Sequence, residues 1–235
     1  AEWDSNLENQ ISSNIHIHLY KNEREMLTGY FKFIHQTRLN PDQIWTWNGY
    51  GFDFDYLDTR MRVLDLDKEC YYWGKLKEPV SKPIRKELTN KAYGTNIMKI
   101  PLAFGVVYVD DFQLFKKLEK HYMYSLEAIA NSILTFPVKQ WDGTSKKIKE
   151  KKQDLHHTKI KPYFYGSPED RAILLYYCKH DTLLVKKLID LRAHFVMLIN
   201  QCRVTRNPLK QFLQGGTQKK FYPRLRKLLF KMAYI

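Results

Sequence analysis

From residue 191 to its end, this 235-residue chain contains no aspartate or glutamate at all. Cysteine is scarce throughout. Cys70, Cys178 and Cys202 are widely spaced and odd in number. They support neither a disulfide framework nor a zinc cluster, and they suit a reducing compartment. Glycine (10) and proline (9) are too few for a fibrous or low-complexity chain. No run approaches the ~18 apolar residues that a membrane helix needs. The opening AEWDSNLENQ lacks the charged-then-apolar order of a signal peptide. Aromatic residues, by contrast, are plentiful, with 16 Tyr, 13 Phe and 5 Trp. Such a chain can build a core, which argues against disorder. Its length suits one domain, with a second only if that one is small or incomplete.

The net charge of +14 is unevenly spread. Residues 1–190 carry 29 Lys/Arg against 25 Asp/Glu, whereas residues 191–235 carry 10 Lys/Arg and no acid. An acid-free basic stretch points to a polyanion, most often nucleic acid. A solvated basic tail is the plainer alternative, and charge alone does not separate the two.

Alternation in Asn14-Ile-His-Ile-His-Leu-Tyr20 predicts a half-buried strand. His16 and His18 would share its outer face as structural residues. A helix follows from Glu23 to about Gln36, capped by Asn22 with Glu25 at the capping-box position. Its apolar stripe is Leu27, Tyr30, Phe31 and Ile34. Gln43–Trp47 reads as a second strand, and another helix begins near Asp53 and passes through Tyr56, Leu57, Met61 and Leu64. Residues 70–100, with Pro79, Pro83 and mixed charge, read as irregular. A strand over Phe104–Val109 leads into helices at about 111–121 and 125–135. Residues 139–161 hold eight lysines against three acids and read as an exposed, mobile connection. Ser167-Pro-Glu-Asp170 predicts a long helix with Ser167 as cap and Pro168 in its first turn. Strands and helices alternate, so the expected class is α/β.

Two constellations carry chemistry. In Trp47-Asn-Gly-Tyr-Gly-Phe-Asp-Phe-Asp-Tyr-Leu57, Asn48 and Asp53 fall at a strand-to-helix transition, where α/β folds place ligand sites. Asn48-Gly49 is equally a hairpin-turn signal, and Asp53 could simply cap a helix. In Tyr177-Cys-Lys-His-Asp181, Tyr177 and Asp181 stand four apart on one helical face, alongside Ile173, Leu174, Leu184 and Leu188. An aspartate in an apolar stripe needs a partner, either a metal ion or a buried donor.

Taken together, these segments resemble the 3′–5′ proofreading exonuclease domain of family B DNA polymerases, of the delta class and of large DNA viruses. That family's second exonuclease motif, Y-N-x-x-x-F-D-x-x-Y-L, is similar to residues 47–57, and its third, Y-x-x-x-D, to Tyr177–Asp181. Flanking likenesses run in the family's order. Tyr20–Leu27 resembles "F-x-N-E-x-E-M-L", and Gly105–Asp110 resembles "G-R-x-x-x-D" with Val106 in place of the arginine. Tyr124–Ala130 is similar to "Y-S-L-N-A-V-A", and Lys152–Leu155 to "K-x-D-V". Cys202–Thr205 and Leu213–Lys219 resemble "S-R-V-T" and "L-x-R-G-Q-Q-I-K", where the family enters its polymerase domain.

The resemblance implies a ribonuclease H-like fold, a mixed sheet flanked by helices. Exonuclease would occupy residues 1–200 and the start of the polymerase domain residues 201–235. It implies two-metal phosphodiester hydrolysis with Mg²⁺ or Mn²⁺, hard ions that prefer oxygen ligands. Asp53 and Asp181 would be metal ligands and catalytic, with Tyr177 orienting the attacking water. Asn48 and Phe52 would hold the frayed 3′ end. Arg203, Lys219, Arg224, Arg226 and Lys227 would contact DNA, the implied partner, and a processivity factor is left open. The family's first motif, a strand bearing D-x-E, has no counterpart in residues 1–47, so a fragment lacking that strand is expected, one that by itself degrades DNA slowly or not at all. A non-catalytic nucleic-acid-binding scaffold is the alternative. Nuclear and cytoplasmic viral-factory locations both fit.

Overall fold

A computed structural model describes residues 17–36, 40–66, 73–76, 82–90, 94–139, 145–149 and 155–214. Helix α1 (Glu23–Gln36) follows a cap in which Asn22 Oδ1 accepts the Glu25 N–H at 2.9 Å. The Glu25 carboxylate turns back to Asn22 Nδ2 (3.0 Å) and to the Lys21 N–H (3.4 Å). Leu27 and Phe31 face the core, while Tyr30 keeps 43% of its surface exposed. Residues 17–20 form no strand, and residues 14–16 lie outside the described residues. The His18 ring packs 5.0 Å from Phe33 of α1 instead, so local side-chain packing wins over the alternating pattern.

Strand β1 (Gln43–Thr46) is half-buried along its length, and helix α2 (Asp53–Val63) follows it. Glu23 forms a two-pronged ion pair with Arg60, and Arg24 Nη1 donates to the Leu64 carbonyl at 2.6 Å. The start of α1 is thereby fixed to the end of α2.

The stretch expected to be irregular instead forms a ribbon. Strands β2 (Lys82–Asn90) and β3 (Gly94–Leu102) pair antiparallel, with Lys82 opposite Leu102 and Asn90 opposite Gly94. Pro83 and Pro101 face each other near the open end. A two-stranded ribbon has outward N–H positions that proline can occupy, so the prolines do not break it. Mixed charge hid the apolar alternation of Ile84, Met98 and Ile100, which pack on the α1–α2 core.

Strand β4 (Val107–Asp110) begins later than the sequence suggests, after a bend at Gly105 (φ +80°). It pairs parallel with β1, placing Gln43 opposite Val107 and Thr46 opposite Asp110. Helices α3 (Asp111–Leu118) and α4 (Leu126–Ile133) come next, the latter capped by Ser125. Strands β5 (Thr135–Lys139) and β6 (Ser145–Lys149) form an antiparallel pair, and helix α5 spans His157–Tyr165. The described parts of the lysine-rich stretch thus hold regular structure where an exposed, mobile connection was expected. Lysine tolerates strands and helices alike when its charge stays solvated.

Helix α6 (Pro168–Leu191) has the expected capping box. Asp170 N–H donates to Ser167 Oγ (3.3 Å) and Ser167 N–H to Asp170 Oδ2 (3.0 Å). Of its predicted stripe, Leu184 and Leu188 are buried against Phe115, Ile129 and Ala130, whereas Ile173 is exposed. Helices α7 (His194–Thr205) and α8 (Leu209–Gln214) complete the described chain, and Leu198 packs with Val109 and Leu114.

The class is α/β. The described strands make three two-stranded sheets, β1–β4 parallel and β2–β3 and β5–β6 antiparallel, rather than one mixed sheet. Among the described residues, β1 is paired along one edge only.

Ala193, just before α7, adopts the left-handed conformation (φ 48°, ψ 37°). That conformation costs a residue with a Cβ roughly 1–2 kcal/mol, partly offset by the entropy glycine loses on folding. Ala193→Gly should therefore stabilise the protein by about 0.5–1 kcal/mol in urea denaturation. A destabilised variant would show that the methyl group supplies packing worth more than the strain.

Candidate active site

The parallel pair fixes the geometry of the site, because the C-terminal ends of β1 and β4 lie side by side. Chain leaving β1 must reach α2 within a few residues. It does so through a tight turn and not a hairpin. Asn48 is left-handed (φ 60°), and its carbonyl accepts the N–H groups of Gly51 (3.0 Å) and Phe52 (3.1 Å). Gly49 is required here, since an added Cβ would sit 2.5 Å from Thr46 Oγ1.

Asp110, at the end of β4, reaches across to this turn. Its Oδ1 accepts the Asn48 N–H at 2.8 Å and its Oδ2 the Tyr50 N–H at 3.0 Å. The carboxyl is buried, and this burial pushes its pKa up to about 6. The N–H groups of Tyr50, Asn48, Phe112 and Gln113 pull the other way and limit that rise. On the other side of the turn, Lys99 of β3 donates its N–H to the Tyr50 carbonyl at 2.8 Å. Its ammonium bridges Asp55 (2.8 Å) and Asp58 (2.5 Å) of α2.

Asp53 opens α2, where the partial positive charge of the helix start favours a carboxylate. Solvent reaches it, yet the surrounding protein raises its pKa by desolvation. Asp181, half-buried on α6, lines the same open groove as Asp53. This groove, of about 1080 Å³, also has walls from β1 (Trp45, Thr46), from Trp47 just after it, from Leu126 and from Val185. Two carboxylates distant in sequence thus share one concave surface. Lys186 and Asp190, an ion pair at 2.6 Å, line it as well.

The remaining predicted residues are distributed as follows. Tyr177 lies one turn before Asp181 on α6, half-buried and outside the groove lining. Asn48 is half-buried in the turn. Phe52 is 64% exposed, its ring parallel to Tyr56 (centroids 6.2 Å apart, planes 10° apart), and Tyr56 reaches the groove. Arg203 is exposed on α7, away from the groove lining. Lys219, Arg224, Arg226 and Lys227 lie outside the described residues. Among the described residues, no cluster of three or more His, Cys, Asp or Glu side chains is close enough to hold a metal ion.

Sequence reasoning assigned no role to Asp110 or Tyr56. The available signal for Asp110 was an acid ending an apolar strand. Its partners, about 60 positions earlier, are visible only in three dimensions.

The family model for the exonuclease domain of family B DNA polymerases matches residues 2–129, more than half of the chain. The chain belongs to this family. It is 29% identical over 219 residues to the DNA polymerase delta catalytic subunit of Candida albicans, covering 92% of this chain and 20% of that protein. It is 26% identical over 216 residues to the corresponding Plasmodium falciparum subunit, covering 92% of the chain and 18% of the relative. A viral relative, the DNA polymerase catalytic subunit of human herpesvirus 6A, is 25% identical over 211 residues, or 89% and 19% of the two chains. The chain therefore spans about a fifth of the length of these relatives.

Proposed function

We propose that this chain is the 3′–5′ proofreading exonuclease region of a replicative family B DNA polymerase. On this reading it removes mispaired 3′-terminal nucleotides, and residues 201–235 begin the polymerase domain. The observation that carries the proposal is the meeting of Asp53 and Asp181 across one groove beside parallel strand ends. Such crevices are where open α/β sheets bind ligands.

The donor set fits a hard divalent ion, because Asp53 and Asp181 offer carboxylate oxygens and no soft ligand lines the groove with them. Mg²⁺ or Mn²⁺ held there would activate water and stabilise the leaving oxygen. Two carboxylates are half of what a two-metal site uses. Among the described residues β1 is paired along one edge only, and a further strand on its other edge would supply the rest and extend the β1–β4 pair into a ribonuclease H-like mixed sheet. The chain's own residues bind and orient. The Tyr177 hydroxyl positions water, Asn48 holds the terminal nucleotide, and the exposed Phe52 ring stacks on a base. Arg203, Lys219, Arg224, Arg226 and Lys227 neutralise phosphates. The work would be done in the nucleus or a cytoplasmic viral factory.

The test is release of nucleotides from a 3′-labelled single-stranded primer by the parent polymerase, with Mg²⁺ or Mn²⁺. Stepwise loss from the 3′ end, abolished by Asp53→Ala, is the expected result. Hydrolysis that survives Asp53→Ala would move the active site elsewhere. Absence of hydrolysis from the unmodified protein would favour a nucleic-acid-binding scaffold.

A further inference from the structure

We infer that Asp110 is the positioning residue of the exonuclease site, holding the Asn48–Asp53 turn in register from β4. This inference rests on the function proposed above. Asp110 is only 2% exposed and does not line the groove, so it touches no substrate. It acts through the backbone. Each of its two oxygens takes one N–H from the turn, Asn48 at 2.8 Å and Tyr50 at 3.0 Å. These donors flank Gly49, and Asn48 itself is left-handed, so the turn has little intrinsic preference for its observed shape.

Within the turn, the Asn48 carbonyl accepts the Gly51 and Phe52 N–H groups and the Gly49 carbonyl the Phe54 N–H (3.0 Å), and the ties from outside it described here hold its far side or the strand before it. Thr46 Oγ1 donates to the Val109 carbonyl at 3.3 Å, Tyr50 Oη to the Tyr108 carbonyl at 2.5 Å, and Lys99 N–H to the Tyr50 carbonyl at 2.8 Å. Only Asp110 grips the Asn48 end by its backbone among these. The turn then delivers three groups at once: Asn48, the exposed Phe52 ring, and Asp53 at the start of α2.

A carboxylate is the one side chain of this size that accepts at both tips. Asparagine at 110 would point an amide N–H₂ at one of the two backbone donors and release that strut. Alanine would release both. Because the turn sits between substrate-holding and metal-holding groups, a small shift misaligns them without emptying the binding surface. A displacement of about 1 Å costs on the order of 10²-fold in rate.

The experiment uses the full polymerase containing this chain, with Asp110→Asn, Asp110→Ala and Asp53→Ala made separately. Exonuclease kcat and KM are measured on a single-stranded primer, with extension of a paired primer, Tm and amide hydrogen exchange of the 47–54 peptide measured beside them. Asp110→Asn should lower exonuclease kcat at least ~10-fold and Asp110→Ala lower it further, with KM moving less than about threefold. Exchange in 47–54 should accelerate and extension stay near its unmodified value, while Tm falls, because Asp110 also accepts the Phe112 and Gln113 N–H groups at the start of α3. An exonuclease rate within about twofold of the unmodified enzyme in Asp110→Ala would overturn the inference. So would a parallel loss of exonuclease and extension, which would make Asp110 a general fold residue. Hydrolysis surviving Asp53→Ala defeats the proposed function itself. Hydrolysis lost in Asp53→Ala but kept in Asp110→Ala defeats only the positioning role.

Discussion

Asp181→Ala in the parent polymerase is expected to reduce 3′–5′ hydrolysis by at least ~10²-fold while primer extension stays within about twofold. The size follows from what a ligand does: metal-held charge contributes several kcal/mol to the transition state, and each ~1.4 kcal/mol is tenfold in rate. Extension is spared because the polymerase centre would draw on residues beyond this chain's groove. Stability should change little, since Asp181 is half-buried on the wall of an open groove. Tyr177→Phe should be milder, as it removes one hydroxyl and no carboxylate. Misincorporation frequency measured beside extension rate separates these outcomes. If Asp181→Ala instead lowered Tm sharply and stopped extension, Asp181 would be a structural partner within α6, and the third motif would lose its assignment.

The largest stability effect should come from His194→Ala. His194 opens α7 with 3% of its surface exposed, and its Nδ1 lies 2.6 Å from Oδ1 of Asp111, which is fully buried at the start of α3. The imidazole also packs edge-on against Phe115, with centroids 4.9 Å apart. Removing it opens a cavity and strips Asp111 of this partner, and Asp111 Oδ2 already has no hydrogen bond among the described residues. Breaking a buried pair from one side costs about 3–5 kcal/mol. For a chain of this size that corresponds to a fall in Tm of roughly 6–20 °C.

The pH dependence has a definite sign. Burial raises the Asp111 pKa, and His194 opposes that rise by hydrogen bonding and charge. Without His194 the folded-state pKa climbs further above the unfolded value. The folded variant then binds a proton that the unfolded chain releases, so its stability increases as pH falls through that range. The deficit of His194→Ala should therefore be larger at pH 7 than at pH 4.5. A deficit independent of pH would assign the whole loss to packing. Asp111→Ala combined with His194→Ala should cost less than the sum of the two single changes.

How legible each feature was in the sequence tracks how local its cause is. The Ser167 capping box, the Asn22 cap and the start of α2 at Asp53 rest on contacts three or four residues apart, and all three were readable. The β2–β3 ribbon depends on a register joining Lys82 to Leu102, and its prolines and charges gave no period to read. Helices α7 and α8 went unanticipated, because attention to the basic charge of that segment masked the apolar face of Leu198, Leu209 and Phe212. The candidate site divides in the same way. Asp53 and Asp181 could be named from their motifs, but their sharing of a groove could not. Asp110 and the Asp111–His194 pair act over separations of 60 to 83 residues, which sequence patterns do not report.

Among the described residues β1 is paired along one edge only, which turns strand supply into a matter of concentration. Backbone donors and acceptors along Gln43–Thr46 form a template for whichever strand arrives first. A strand tethered in the same polypeptide presents itself at an effective concentration of about millimolar. Neighbouring molecules in a micromolar preparation compete at a thousandth of that. When the tethered strand is present, self-association through this edge is suppressed roughly in that ratio. Without it, the same edge would be a template for other copies, and the species in solution would then shift with dilution.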